Sequence, residues 1–582
     1  MPDPIIVNNF QSGIAPSQIL GHASIIGDVS MFQGSIRPNI RLATQGTFTN
    51  FINWFANDTL HNVQYAVDLG GKVYKRVNGT WSNLSSQPST ATSGLIPFTA
   101  NSGTNELTIT SNTEIAQTGT QVILLAAGGT MPEPLVDGGL YFVVRTSNTI
   151  IRLATSYLNA INGTVIDLTT NGSGTLNIST LTARGQGIVV YKNYLWVFRN
   201  SFIDIYGPLT TSGGGAWTTS AGGGSTQWSG GAGITNSLDN DGNYHPSLVG
   251  QDDILYIGAG AYIASVQEVS GQIFNPNIPA TFVFTGRALD LPTQYRVRCL
   301  AELGVNLMIG TWVGASLTNT KIADVFPWDR TSPSFDIPQR LQENGVNAMV
   351  TKDNILYIVA GVSGKVFATN GTTIRQVTQI PNYISQLDGN QSLETFPGSI
   401  MVHLGRVWFG SSYEGGSGSH ANGLWSYNIE TSALVYEVDN GVQIGVGALY
   451  SLDRERYIVA YRFDFVTFGV FTSDPDSRSD APAVVESQEF RSGTVVANAT
   501  YTKLLVQLAR PLATDEFIEI FWRESRTGSW VLIATFDVES VGLQALDAPA
   551  NIENSKNVQL KANLYGVDLA TSGPELMEIR LE

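Results

Sequence analysis

A chain of 582 residues exceeds what one hydrophobic core usually serves, so a large body of several units with one or two smaller domains is expected. Its 60 glycines, with only 14% charged residues and no long stretch of helical periodicity, point to a tightly turned all-β chain. A formal charge of −16, from 48 acidic against 32 basic side chains, argues against a surface that grips nucleic-acid phosphates, and the single cysteine, Cys299, excludes an internal disulfide.

The opening MPDPIIVNNF lacks the basic and apolar regions of a signal peptide, and no run reaches the length of a membrane span. Synthesis in a cytoplasm and no membrane partner are therefore expected. Residues 1–60 are assigned to an N-terminal arm carrying one or more ring-closing strands. At 61–81, HNVQYAVDLGGKVYKRVNGTW reads as a hairpin turned at Gly70-Gly71. Residues 98–182 form a strand-rich stretch of their own, including NELTITSN, TQVILLAAGG and LYFVVRTSNTIIRLATS, and are read as an inserted small β domain.

At 191–208, YKNYLWVFRNSFIDIYGP holds two short runs rich in aromatic and β-branched residues, joined at Arg199-Asn200-Ser201 and stopped by Gly207-Pro208. The same hairpin returns as DDILYIGAGAYIASVQEV, GVNLMIGTWVGASLT, DNILYIVAGVSGKVFATNG, LGRVWFGSSYEGG and RERYIVAYRFDFVTFGVF. The middle residues of the core runs, Trp196, Tyr256, Met308, Tyr357, Trp408 and Ile458, lie 60, 52, 49, 51 and 50 residues apart. Tyr65 precedes Trp196 by 131 residues, and removing the 85 of the insertion leaves 46. A period near 50 built of paired strands suits the four-stranded blade of a β-propeller. The expected fold is all-β: a β-propeller of about seven blades over 61–97 and 183–483, with the inserted domain at 98–182 and a C-terminal β-sandwich at 484–582. In that tail, Val558, Leu560, Ala562 and Leu564 alternate with polar residues, as in a half-buried strand with one face in water.

The longest gap contains the loop 207–233, with ten glycines and two tryptophans. Gly213, Gly214, Gly215, Trp217, Gly222, Gly223, Gly224 and Trp228 are its candidate functional residues, as an inter-subunit clasp or a gate, because docking the tryptophans could offset the ordering entropy of so many glycines. No catalytic, cofactor or metal residue is assigned: P-loop, HExxH and CxxC patterns are missing from the sequence. His22, His61, His245, His403 and His420 lack metal-ligand spacing, and His403 and His420, which flank a glycine-rich loop, read as solvated loop residues. The stretch from Ser237, with Asp239, Asp241 and Gly242, is read as a turn: a calcium loop placed on Gly242 would put Ser237 and Leu248 where carboxylates belong. The chain is expected not to be an enzyme.

LWVFRNSFIDIYGP, the final strands NVQLKANLYG and PELMEIRLE, and the opening NNFQSGIAPSQ followed by GSIRPNIRLA together resemble the β-propeller tail nozzle, or tail hub, proteins of short-tailed bacteriophages. The inserted stretch is similar to a small β module of phage structural proteins. The resemblance implies a structural virion protein of the tail, forming a ring, usually a homo-hexamer. Such a ring has portal and adaptor proteins above it and tail fibre or spike proteins nearby, and an acidic lumen through which DNA passes without specific binding. Two further readings stand beside it: a receptor- or glycan-binding propeller in which Trp217 and Trp228 stack on sugar rings, and, ranked last, a hydrolase without a recognisable motif.

Overall fold

The computed structural model describes residues 5–7, 25–84, 95–199, 203–218, 238, 244–313, 322–381, 393–412, 422–439, 445–462, 468–478, 483–525, 528–566 and 573–582. Within these spans it leaves aside 28, 33, 34, 39, 49, 111, 113, 114, 156, 181–184, 488 and 492–497. Seven four-stranded units with meander order follow one another, spanning 52–83, 187–217, 247–290, 295–341, 346–379 and 400–439, with the last over 445–478. We number them blades 1 to 7. Their first strands touch in a closed circuit, each meeting the next and blade 7 meeting blade 1, so the molecule is a β-propeller.

The recurring hairpin supplies strands two and three of each blade. Tyr65, Trp196, Tyr256, Met308, Tyr357, Trp408 and Ile458 all lie in second strands, one per blade and one step out from the axis. Alternate residues of such a strand leave by opposite faces. In blade 2, Leu195 and Val197 join a core with Tyr65 and Val73 of blade 1, while Trp196 and Phe198 join one with Leu255 and Ile257 of blade 3. Both faces are buried, which is why the run is apolar throughout and does not alternate. Near the axis the backbones crowd: a Cβ at Gly187 would overlap the His245 carbonyl oxygen, and one at Gly447 the carbonyl of Ile52.

Blade 7 has only three strands of its own. Its outer strand, Phe468–Arg478, pairs antiparallel with Ile40–Phe48 from near the start of the chain, in the register Thr472 to Ala43 and Ser473 to Leu42. The ring is thus fastened by joining segments far apart in sequence. Blade 1 begins at Ile52–Asp58, so the propeller starts earlier than residue 61.

Residues 96–180 form a closed six-stranded barrel with its own core of Phe98, Leu107, Val122, Tyr141, Ile151 and Ile178. The barrel is also docked. Phe142, Ala154 and Ile161 pack with Trp312 of blade 4 and Val362 of blade 5, although the chain leaves the ring between blades 1 and 2. It therefore spans one face of the ring.

The C-terminal residues build a sandwich whose two sheets share one core, including Tyr501, Leu504, Ile518, Leu560 and Ile579. Strands expected to form an arm belong to it: Ile5–Val7 pairs with Leu576–Leu581, and Ile25–Gly27 pairs with Ala483–Glu486. Gly27 also bridges Tyr436 in parallel, so the outer strand of blade 6 and one sandwich sheet form a continuous ten-stranded sheet. The strand Asn557–Tyr565 corrects the expected wet face. It lies inside its sheet, and Gln559 is buried, accepting from Arg523 Nε at 2.8 Å and donating to Ser487 O at 2.8 Å.

Because Trp312 joins barrel to ring, its truncation acts on both. Trp312→Ala is expected to cost roughly 3–5 kcal/mol in denaturant unfolding, the range for large aromatic truncations in cores. It should also make the barrel linkers more sensitive to protease; an unchanged midpoint would show that the barrel is not held there.

Candidate functional site

The structure divides the expected loop site. Ala216–Trp217 is the fourth strand of blade 2, with Trp217 opposite Tyr206 and the two rings 5.1 Å apart. Gly213 has φ +62, and a Cβ there would press on Lys75 Cδ at 2.8 Å. Lys75 Nζ of blade 1 donates to Ser212 O at 2.9 Å and Gly213 O at 3.2 Å, and Gly214 N donates to Thr210 Oγ1 at 2.9 Å. A side chain at Gly215 would run into Tyr206. These residues form a blade edge clamped to its neighbour, whereas Gly222, Gly223, Gly224 and Trp228 lie outside the described residues.

Of the two histidines read as solvated, His403 is corrected, and His245 is buried as well. His245 is buried with Nδ1 2.9 Å from Gly258 O, so that nitrogen donates. His403 is buried between Trp408 and Tyr457, with Nδ1 2.9 Å from Ser451 Oγ. His22 and His420, like Asp239, Asp241 and Gly242, lie outside the described residues. Among the described residues no group of three or more His, Cys, Asp and Glu side chains could hold a metal ion.

Three first strands each carry a buried polar residue at a bulge. β-Bulges fall at Asn53 in blade 1, Arg298 in blade 4 and Asn347 in blade 5, and each bulged residue is buried. The Arg298 guanidinium lies 3.5 Å from the Trp312 ring centroid and 4.5 Å from that of Tyr244, and Nη2 donates to Glu394 Oε1 at 3.1 Å. Arg298 and Glu394 are 2% and 3% exposed, so this cluster has no opening for a ligand. It clamps blade 4 to the segment that leads into blade 6. A second buried pair, Arg199 Nε to Asp204 Oδ2 at 2.9 Å, occupies the turn of the blade 2 hairpin, and Arg199 also donates to Gly71 O of blade 1. No local pattern in the sequence distinguished these two arginines from exposed ones.

An open groove of about 790 Å³ lies where the ring closes, between the outer strands of blades 7 and 1. Its floor holds Arg76, 9% exposed, from the third strand of blade 1, and Thr472, 6% exposed, from the third strand of blade 7. Arg76 Nη1 donates to Gln64 Oε1 at 3.1 Å and Nη2 to Gln45 Oε1 at 3.4 Å, while Nε and Thr472 Oγ1 are buried without a hydrogen-bond partner. Burial, and secondarily the Arg456 charge, push the Arg76 pKa down. Arg454 and Arg456 stand on the rim with Asp453 and Glu455. Asp453 is committed to Arg456, by a 2.7 Å ion pair and the backbone N–H at 2.8 Å. Such a floor can receive an anion or a hydroxyl-rich ligand.

No protein-family model and no curated protein matches the chain. Among solved structures, it is similar to exo-beta-1,3-galactanase from Phanerochaete chrysosporium, with a TM-score of 0.28 and 11% identity over 60% of this chain and 97% of that one. It is also similar to the computationally designed Ika8 protein, at 0.35 and 14% over 74% and 99%, and to the Dos1 propeller, at 0.36 and 8% over 74% and 94%. The galactanase match corrects the expectation that the chain is not an enzyme: lack of a local motif does not exclude catalysis in a chain of this architecture. At these scores the likeness carries no particular activity across.

Two buried titratable groups on the ring oppose each other. Burial pushes the Asp68 carboxyl up from 3.8 to about 6, despite hydrogen bonds from Lys72 N and the Tyr74 hydroxyl at 2.9 Å each. Burial pushes the His403 imidazole down from 6.5 to about 4, against a smaller opposing effect of Asp453. The Asp68 contribution to stability is complete below pH 3.8 and is lost as pH rises through 6; that of His403 is complete above 6.5 and is lost as pH falls through 4. Each amounts to about 3 kcal/mol, so they largely cancel. Asp68→Asn should therefore make the protein lose stability on acidification from pH 6.5 to 4, and His403→Phe should make it lose stability on going from pH 4 to 6. Denaturant midpoints across that range test both, and parallel profiles for the two variants would refute the assignment. At the clamp, Arg298→Met should cost roughly 3–5 kcal/mol by leaving Glu394 buried and charged, and adding Glu394→Gln should restore much of it; a double variant as unstable as the single would place the loss in packing.

Proposed function

We propose that the chain is a structural subunit of a short-tailed phage tail, one of several copies around a conduit for DNA, as its resemblance to tail nozzle proteins implies. The observation that supports this most is the way three β units are tied into one body. The ten-stranded sheet fuses the sandwich to blade 6, and the barrel is anchored on blades 4 and 5. A part that must hold its shape under a packaged genome benefits from such cross-ties, whereas flexible linkers would let the domains move. Since the barrel spans one face of the propeller, the conduit in this reading runs between copies and not along the propeller's axis. A ring of six copies would carry six times the charge of −16, and an acidic wall repels the phosphate backbone.

Negative-stain images of the concentrated full-length chain, alone and with portal and adaptor proteins, test the reading. Closed rings with a central opening bounded by several propellers are expected. A chain that remains monomeric in both preparations would overturn the assignment.

A further inference from the structure

Three arginines are buried among the described residues. Arg199 has Asp204 and Arg298 has Glu394, each within hydrogen-bond distance. Arg76 has neutral amides only, and its Nε has no partner. A buried cation is normally kept by a carboxylate, because the charge loses its hydration on folding. Across the groove stands another cation, Arg456, itself paired with Asp453. On the same groove floor the buried Thr472 hydroxyl also lacks a partner. Two orphaned polar groups thus belong to residues that line one open groove from opposite sides of the closing seam, each atom itself buried beneath the groove surface.

We propose that this seam groove is a binding site for a carboxylate-bearing saccharide. The Arg76 guanidinium would receive the carboxylate, since its planar donors suit a charge-assisted bond to that group. Rotation of the Thr472 side chain would bring Oγ1 out to bond a sugar hydroxyl. The volume of about 790 Å³ is that of a small-molecule site. The rest of the lining favours a polyhydroxylated ligand over a peptide: Gln45, Asn78 and Thr80 offer amides and a hydroxyl, and Ala43 is the apolar side chain among them. Gly79, at φ +83, keeps the approach to Arg76 open; a Cβ there would meet only Nη2, at 3.9 Å. Glu455 is exposed at the rim, and its charge disfavours a ligand with more than one acidic group nearby.

Calorimetry and thermal melting of the full-length chain with sodium glucuronate test the site, with glucose, sodium acetate and sodium sulfate at matched ionic strength as comparisons. Glucuronate is expected to raise the melting temperature and to bind at least about tenfold more tightly than glucose or acetate, as expected when a buried charge gains its partner. Thr472→Val removes an unpartnered hydroxyl without changing shape, so it should melt at or above the parent's temperature while binding glucuronate about fivefold more weakly. Arg76→Met should abolish binding; if that variant does not fold, Thr472→Val decides alone. The proposal is overturned if glucose, acetate or sulfate binds as well as glucuronate, or if Thr472→Val keeps the parent's affinity.

Discussion

Leu195 and Val197 point into one inter-blade core while Trp196 and Phe198 point into the next, and this division sets the terms for the whole propeller. A blade buries neither face of its sheet unaided; each apolar layer is half supplied by a neighbour. An open row of blades would leave two large apolar faces in water, at about 25 cal/mol per Å² of area left uncovered. Closure removes both faces at once. The repeated hairpin is therefore the sequence's record of a packing requirement, with the same two-sided apolar strand needed at every step around the ring.

Closure also explains why the chain's two ends are so entangled. The strand Ile40–Phe48 completes blade 7, and the segments before it are divided between the sheets of the sandwich, where Ile5–Val7 pairs with the final strand. These contacts join residues hundreds of positions apart and must form late, after the loop-closure entropy of most of the chain has been met. Once made, they hold ring and sandwich together as a single fastening, because freeing the N-terminal segment would open blade 7 and strip strands from the sandwich.

The propeller was legible because its signal is periodic and local: a five-residue apolar run recurs at nearly constant spacing, and every marker residue occupies a second strand. The barrel was legible as an interruption of that period. What escaped was contact between units. The docking of Phe142 and Ile161 on Trp312 needs the curvature of the ring, which no window of sequence contains. The burial of Arg298 depends on a bulge that turns one residue of YRVRCLAEL inward, and a bulge leaves no mark in a pattern of apolar and polar letters. Likewise NVQLKANLYG alternates as a half-wet strand should, yet neighbours covering its polar face make Gln559 part of the interior. In the glycine-rich loop, Gly213 and Gly215 are required by close approach to Lys75 and Tyr206, a contact between blades and within a hairpin that the run of glycines does not announce.

The seam differs physically from the other inter-blade junctions. Elsewhere consecutive blades pack through strands that obey the same repeat, so a side chain on one face meets an apolar layer. Between blades 7 and 1 the outermost wall is Ile40–Phe48, a segment outside the repeat, which brings Ala43 and Gln45 against Arg76 and Gly79. The repeat's constraint is relaxed there, and an opening is tolerated because the closing strand's own ladder already holds the ring. An unpaired guanidinium would be costly in a junction that had to exclude water throughout; at the seam it borders an open groove, where an arriving anion can supply the missing charge.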